Sequence, residues 1–378
     1  MSLAQASCAW QLFNYAEDLA ALRGRPVLRV NLDETSVCLH PGSGRGAVFV
    51  RKSQVSGRRG QRVAKWKRRC YMTHIGVVCD RPAVQKILPQ FIIANEKTLP
   101  ARRLAALRRD APPNVVLVRQ KSAWSNRTLT AHVLRQVAAA VAYHVGDIQI
   151  VLLLDAAKIH LYEIVLRACR AAGVWPIVVP PRMTFLLQPL DTHVFAVYKW
   201  RLLQAYQRAR VASGSEGGDL DIAEFLPCVY EAISLSMERG CWAHAFSQDG
   251  FGRRQAALCA SVRSQLGLEH AVDVDATRPT DAQVSLCFPR KFNVRLGLFW
   301  SLFDDRVPSA SGEGQRSAAS SGSSGGVPAA SRGAASSSSS AAAAGRPGSD
   351  SSIREPRTRA EHRAAKAAAK ARCSGGSP

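Results

Sequence analysis

The stretch IQIVLLL, residues 148–154, constrains this chain more than any other. A continuous apolar run of that length suits a central β-strand covered on both faces. It ends directly on Asp155. A carboxylate placed straight after a buried strand is costly unless a cation meets it. The pattern recurs, with Asp33 closing VLRVNLDET and Asp191 lying in PPRMTFLLQPLDTHVF. Three such carboxylates, brought together, form an oxygen-rich cage of the kind that takes Mg²⁺ or Mn²⁺. That chemistry points to phosphodiesters.

Charge supports a polyanionic partner. The 378 residues carry 51 Lys and Arg against 28 Asp and Glu, a net charge of +23. Such a balance attracts DNA, RNA or an anionic membrane surface. No apolar run approaches the ~20 residues that span a bilayer, and the N-terminus lacks a basic region followed by an apolar one. Nucleic acid is therefore the expected partner, and no membrane is expected. The ten cysteines include no CxxC pair, and Cys241 with His244 has no second pair at zinc spacing. They read as reduced thiols.

The composition breaks near residue 307. Residues 307–378 are Ser, Ala, Gly and Arg with ten basic and four acidic side chains, a net +6, so residues 1–306 keep +17. Such a tail buries too little to order itself. It is expected to be disordered, as an inert segment, an electrostatic tether or a nuclear-localisation signal. Residues 1–26 read as an N-terminal helix and remnant linker, with an amphipathic helix over 9–22. Residues 27–212 read as one α/β unit, and 213–306 as a helical extension. Strands are expected at 27–32, 47–52, 71–80, 148–154 and 174–179, with two more in PQFIIAN and NVVLVRQ around a basic helix near 101–109. Leu129, Val133, Leu134, Val137, Val141 and Val145 fall at helical spacing over 127–145. Further helices are expected over 161–172, 192–210 and within 220–268.

In that order, Asp33 lies mid-sheet or at the end of the first strand. Asp155 ends the next central strand, and Asp191 reaches in from a helix N-terminus. Sites of α/β sheets form at the carboxyl ends of strands. Singly, each acid has an ordinary use: Asp33 as a turn cap, Asp191 as a helix N-cap. Jointly they would repel one another, raising at least one pKa, and cations relieve that repulsion. Glu34 points to the opposite strand face from Asp33 and is a weaker candidate ligand.

The segments VNLDETSV, KSAWSNRTLTAHVL with Trp124, LLLDAAKIH and PPRMTFLLQPLDTHVFAVYKW resemble the catalytic domain of pogo/Tigger/jerky-like transposases. These belong to the mariner-related DDE superfamily, which has an RNase H-like fold. The family pattern runs DET, then LLLDNAPxH, then PPNTTSLLQPLDQG and a helix closing on an aromatic–Lys pair, here Tyr198-Lys199. The resemblance covers roughly residues 9–265. It implies an α/β fold, an RNase H-like mixed sheet flanked by helices. Asp33, Asp155 and Asp191 would be the catalytic, metal-binding acids, holding two Mg²⁺ or Mn²⁺ ions. Asp33 and Asp155 would bridge both ions and Asp191 would hold one. His160 would support the metal site or contact phosphate, and Gln188 would position the loop of the third acid. The implied activity is DNA cleavage and strand transfer, with nuclear location and a homodimer.

Two departures stand out: Ala156 replaces the family Asn after the second acid, and Lys158 replaces the Pro. Only 32 residues precede Asp33, where the family carries helix-turn-helix modules. The expectation is a truncated copy, a domesticated relative, or a protein with other DNA contacts. A transposase-derived nuclear DNA-binding protein without catalysis is the alternative, and a plain RNase H-like nuclease a weaker one. The stretch from Arg45 to Arg69 supplies candidate DNA contacts: Arg51, Lys52, Arg58, Arg59, Arg62, Lys65, Lys67, Arg68 and Arg69, with Trp66 available to stack on a base. The other reading of that stretch is a solvated hairpin.

Overall fold

A computed structural model of the chain describes residues 2–38, 71–97, 99–213 and 220–304. The basic stretch with Arg51, Lys52, Arg58, Arg59, Arg62, Lys65, Trp66, Lys67, Arg68 and Arg69, the strand expected at 47–52, and the tail at 307–378 lie outside them.

The chain opens with α1 (Leu3–Leu22), capped by the Ser2 side chain accepting from the Gln5 amide. Strand β1 (Val27–Cys38) follows, then β2 (Tyr71–Cys79), a short α2 (Pro82–Gln85), β3 (Gln90–Asn95), α3 (Ala101–Arg109) and β4 (Val115–Gln120). Helix α4 (Arg127–Val145) starts where Asn126 accepts from the amides of Thr128 and Leu129. It buries Leu129, Val133, Leu134, Val137 and Val141, as the helical spacing requires. Strand β5 (Gln149–Asp155) leads through a 3₁₀ turn (Lys158–Leu161) to α5 (Glu163–Ala172) and β6 (Val174–Val179). Next come α6 (Thr184–Leu187), a π-helical turn (Leu190–Val194), α7 (Phe195–Ala212) and α8 (Ile222–Ile233), and α9 (Ala243–Gln248), α10 (Ala260–Leu266), α11 (Asp281–Ser285) and α12 (Leu296–Trp300) complete the described chain.

The six strands form one mixed sheet in the order β4-β3-β2-β1-β5-β6. β2 runs antiparallel to both of its neighbours, β1 and β3, whereas β5 is parallel to β1, β6 to β5 and β4 to β3. Helices flank both faces, giving the α/β, RNase H-like arrangement with one extra edge strand. β5 is buried along Gln149–Leu154, as its unbroken apolar run demands. β1 is longer than the sequence pattern indicated. It continues six residues beyond Leu32 because pairing with β2 persists from Asp33↔Gly76 to Cys38↔Tyr71.

Residues 2–304 fall in one compact unit. Trp10 and Phe13 of α1 are fully buried, and the Trp10 indole donates to the Asp249 carbonyl at 3.1 Å. Asn14 bonds Gln255 and the Val274 carbonyl, and Arg23 bonds the Phe303 carbonyl. The late helical segments thus close over α1. Gly250 has φ +90°, and a Cβ there would lie 2.2 Å from the Trp10 indole nitrogen, so only glycine fits. On the sheet side, Arg29 of β1 bonds Glu17 of α1 and Asp80 after β2.

Candidate active site

Asp33 lies within β1 and Asp155 ends β5. The parallel register pairs Asn31 with Leu153, and two residues on in each strand come Asp33 and Asp155. Strand alternation puts both on the face that carries Asn31. The third acid arrives on a separate element. Asp191 is not a helix N-cap, as one reading of the sequence held. It sits inside the π-helical turn Leu190–Val194, which runs without a break into α7. The Gln188 carbonyl accepts from the amides of Asp191 and Thr192, each at 2.9 Å, and the π turn closes where the Phe195 amide donates to the Leu190 carbonyl five residues back. Single π turns within helices are frequent at functional sites.

Two contacts seat this turn on the sheet. The Leu190 amide donates to the Asn31 side-chain oxygen at 2.8 Å, and the Asn31 side-chain amide donates to the Leu153 carbonyl at 3.1 Å. Gly76, opposite Asp33 on β2, leaves room for the helix. A Cβ there would lie 3.0 Å from Phe195 Cε1 and 3.3 Å from Leu190 Cδ2. Behind the turn, Thr192 donates to the Asp249 carboxylate at 2.6 Å. His193 joins Thr192 at 2.7 Å and Gln248 at 2.8 Å. Burial pushes the Asp249 carboxyl well above its ordinary range, against the Thr192 bond.

The carboxylates differ in their surroundings. Asp33 is buried, and desolvation first, then the charges of Asp191 and Asp155, hold its carboxyl well above the usual carboxylate value. Asp33 on β1 therefore senses the acids that end β5 and sit in the π turn. Asp155 is pulled the other way: burial opposes its charge, but the hydrogen bond and charge of His160 outweigh it and lower its pKa. His160 Nδ1 lies 2.6 Å from Asp155 Oδ1. Burial disfavours the imidazolium, yet Asp155 and Glu34 together raise the His160 pKa above its ordinary value. His160 is buried, and among the described residues its Nε2 has no hydrogen-bond partner. Glu34, on the opposite strand face from Asp33, reaches Ser125 and senses His160 and Asp155; burial, the largest influence, raises its pKa.

Gln188 holds the loop of the third acid through its main chain. Its side-chain amide is fully buried and makes no hydrogen bond among the described residues. Tyr198 packs its ring 4.9 Å from His74, and the Lys199 ammonium lies 5.8 Å from the centre of the Phe195 ring. Ala156 is buried beside Asp155. Arg182, where the family pattern has Asn, is exposed with φ +68°, a left-handed conformation that Asn tolerates better. Trp124, 59% exposed, stands one residue before Ser125.

The oxygens are of the hard type that suits Mg²⁺ or Mn²⁺, and mutual repulsion at Asp33 is what a cation would relieve. In this conformation, among the described residues, no three His, Cys, Asp or Glu side chains close on a common metal position. Asp33 Oδ1 is turned to the Glu34 amide at 2.7 Å, and Asp155 Oδ1 to the Ala157 amide and His160. No described helix is long and apolar enough to cross a membrane.

Asn31, Gly76, Thr192 and Asp249 are absent from the motif-based expectation. One signal for Asn31 was available, since it lies two residues before Asp33 and so shares its strand face.

No curated protein is significantly similar to the chain. Among the solved structures that match, two do so at 13% identity, each over 66% of this chain with a TM-score of 0.32. They are described as "Mos1 transposase paired-end complex with left transposon end", matched over 63% of its length, and "Crystal structure of the Mos1 mariner paired end complex with Mn", matched over 64%. The chain thus spans slightly less than two thirds of the structures it matches. Residues 77–242 match the family model of the DDE superfamily endonucleases. This segment, which carries Asp155, His160, Gln188 and Asp191, is similar to that family.

Proposed function

We propose that the protein is a DNA endonuclease and strand-transfer domain of the DDE transposase type, of pogo/Tigger-like character. The observation that carries this reading is geometric: Asp33 and Asp155 follow one register pair on neighbouring parallel strands, and the turn with Asp191 is fastened to those strands through Asn31. The endonuclease-like segment at 77–242 supports it. Asp33, Asp155 and Asp191 would hold Mg²⁺ or Mn²⁺ ions, and two such ions activate an attacking oxygen and stabilise a leaving one. His160 keeps Asp155 ionised and oriented. The burial of Asp33 keeps bulk water from competing for its carboxylate. Water, then a DNA 3′-hydroxyl, would be the nucleophiles. Arg51 to Arg69 would track the phosphate backbone, and the same basic residues suit nuclear import. A homodimer is the expected assembly.

The test is Mn²⁺-dependent nicking of supercoiled plasmid by the wild type and Asp155→Ala at matched DNA occupancy. The reading requires nicking by the wild type alone. Equal nicking by both would overturn it. Basic-stretch contacts to ~5 phosphates would give a log–log salt slope of about −4.5, and a slope near zero would remove that role.

A transposase-derived DNA-binding protein that no longer cleaves is the second reading. Ala156 and the open arrangement of the carboxylates favour it. Salt-sensitive DNA binding with no nicking in either protein is the outcome it requires.

A further inference from the structure

We propose that Asn31 is the positioning residue that sets the spacing of the three aspartates. This rests on the metal-dependent reading above. Asn31 is fully buried, and its two polar atoms reach two different elements. Its amide nitrogen donates to the Leu153 carbonyl, two residues before Asp155, at 3.1 Å. Its oxygen accepts from the Leu190 amide, one residue before Asp191, at 2.8 Å. Asn31 itself lies two residues before Asp33 on the same strand face. One side chain therefore ties together the three backbone segments that carry the acids, each within two residues of its carboxylate.

The chemistry explains why an amide is needed. The Leu190 amide belongs to a helix start, where N–H groups lack intrahelical partners, and it is buried against the sheet. It needs an acceptor. β5 presents a carbonyl on the other side, which needs a donor. Only Asn or Gln carries both groups on one rigid end, and the extra methylene of Gln would push the turn away from β1. Aspartate would place a further negative charge beside three carboxylates. Serine is too short to span both partners. Asn31 touches no substrate in this account. It acts by fixing how far the Asp191 turn stands from Asp33 and Asp155.

The test uses Asn31→Leu, which nearly conserves volume and removes both polar atoms. Two readouts are needed on the full chain: the Mn²⁺ concentration giving half-maximal nicking, and direct Mn²⁺ binding without DNA by electron paramagnetic resonance. Asn31→Leu is expected to weaken Mn²⁺ binding and raise that concentration by about 10- to 100-fold, the usual effect of losing a group that orients ligands. DNA affinity should be unchanged. A purely structural role would lower the melting temperature and leave the Mn²⁺ titration where it was, and that result overturns the assignment. If Asn31→Leu does not fold, Asn31→Ser carries the same test with a smaller polar group. The two levels separate cleanly. A wild type that binds no Mn²⁺ and does not differ from Asp155→Ala removes the metal reading and this assignment with it. A wild type that responds while both Asn31 variants match it removes the Asn31 assignment alone.

Discussion

Asp33 and Asp155 occupy equivalent places two residues beyond one register pair, yet their surroundings drive them apart. Asp155 has a close partner. His160, 2.6 Å away, more than offsets burial and keeps the carboxyl below its ordinary range. At Asp33 the pull of His160 and of the Glu34 amide is outweighed. Burial and the charges of Asp191 and Asp155 hold it well above. One carboxylate is satisfied by the protein, and the other is held at a cost. On the proposed reading, a bound cation would relieve that cost.

The largest effect should fall on activity, from either acid. Asp155→Asn and Asp33→Asn are both expected to reduce metal-dependent nicking to background, because each removes a charged oxygen donor. Their stabilities should then diverge, which sharpens the contrast. Asp33→Asn should stabilise the protein at pH 7 by about 0.5–2 kcal/mol, the usual size for relief of a destabilised functional group. Asp155→Asn should destabilise it by roughly 1–3 kcal/mol through loss of a charged hydrogen bond. Urea unfolding measures both, and equal signs would break the comparison.

Next in size is Gly76→Ala, which is expected to cost about 1–3 kcal/mol by pressing a methyl group on Phe195 and Leu190. Nicking should fall further than stability predicts, because the pressed turn carries Asp191. A loss of stability with normal kcat would show that the turn has slack.

The pH dependence distinguishes the two acids. The raised pKa of His160 gives a contribution fully present below its ordinary value of 6.5 and lost as pH rises through its folded value. The lowered pKa of Asp155 gives a contribution present above 3.8 and lost as pH falls through its folded value. The pair therefore contributes most between about pH 4 and 6.5. His160→Gln should cost most stability in that window and less above it. Asp33 works oppositely. Its raised pKa makes the folded state take up a proton first, so this group adds stability as pH falls through its folded value towards 3.8. The smallest effect is expected at Arg182, where Asn should raise stability by about 1 kcal/mol by easing the left-handed backbone.

Much of the frame was legible in the sequence. The β5 run and the helical spacing of α4 announced their elements because burial period and local propensity agree there. VWPIVV matched β6 at both ends for the same reason. Other features depend on partners far along the chain. β1 runs past Asp33 because β2 pairs with it, which a polar DETS segment does not announce. The π turn at Asp191 closes on the Leu190 carbonyl and is seated on Asn31, so the sequence around Asp191 reads as an ordinary helix start. Asp249 is 58 residues from Asp191 and belongs to no motif. Acids and their order could be read locally, whereas the fastenings that space them could not.

The most direct test of the account is equilibrium Mn²⁺ binding in the absence of DNA, followed by electron paramagnetic resonance for the wild type, Asp33→Asn and Asp155→Asn. The account predicts binding by the wild type that is lost in both variants, with Asp33→Asn the more stable protein. Wild-type binding that survives both substitutions would contradict it, as would a folded wild type that binds no Mn²⁺.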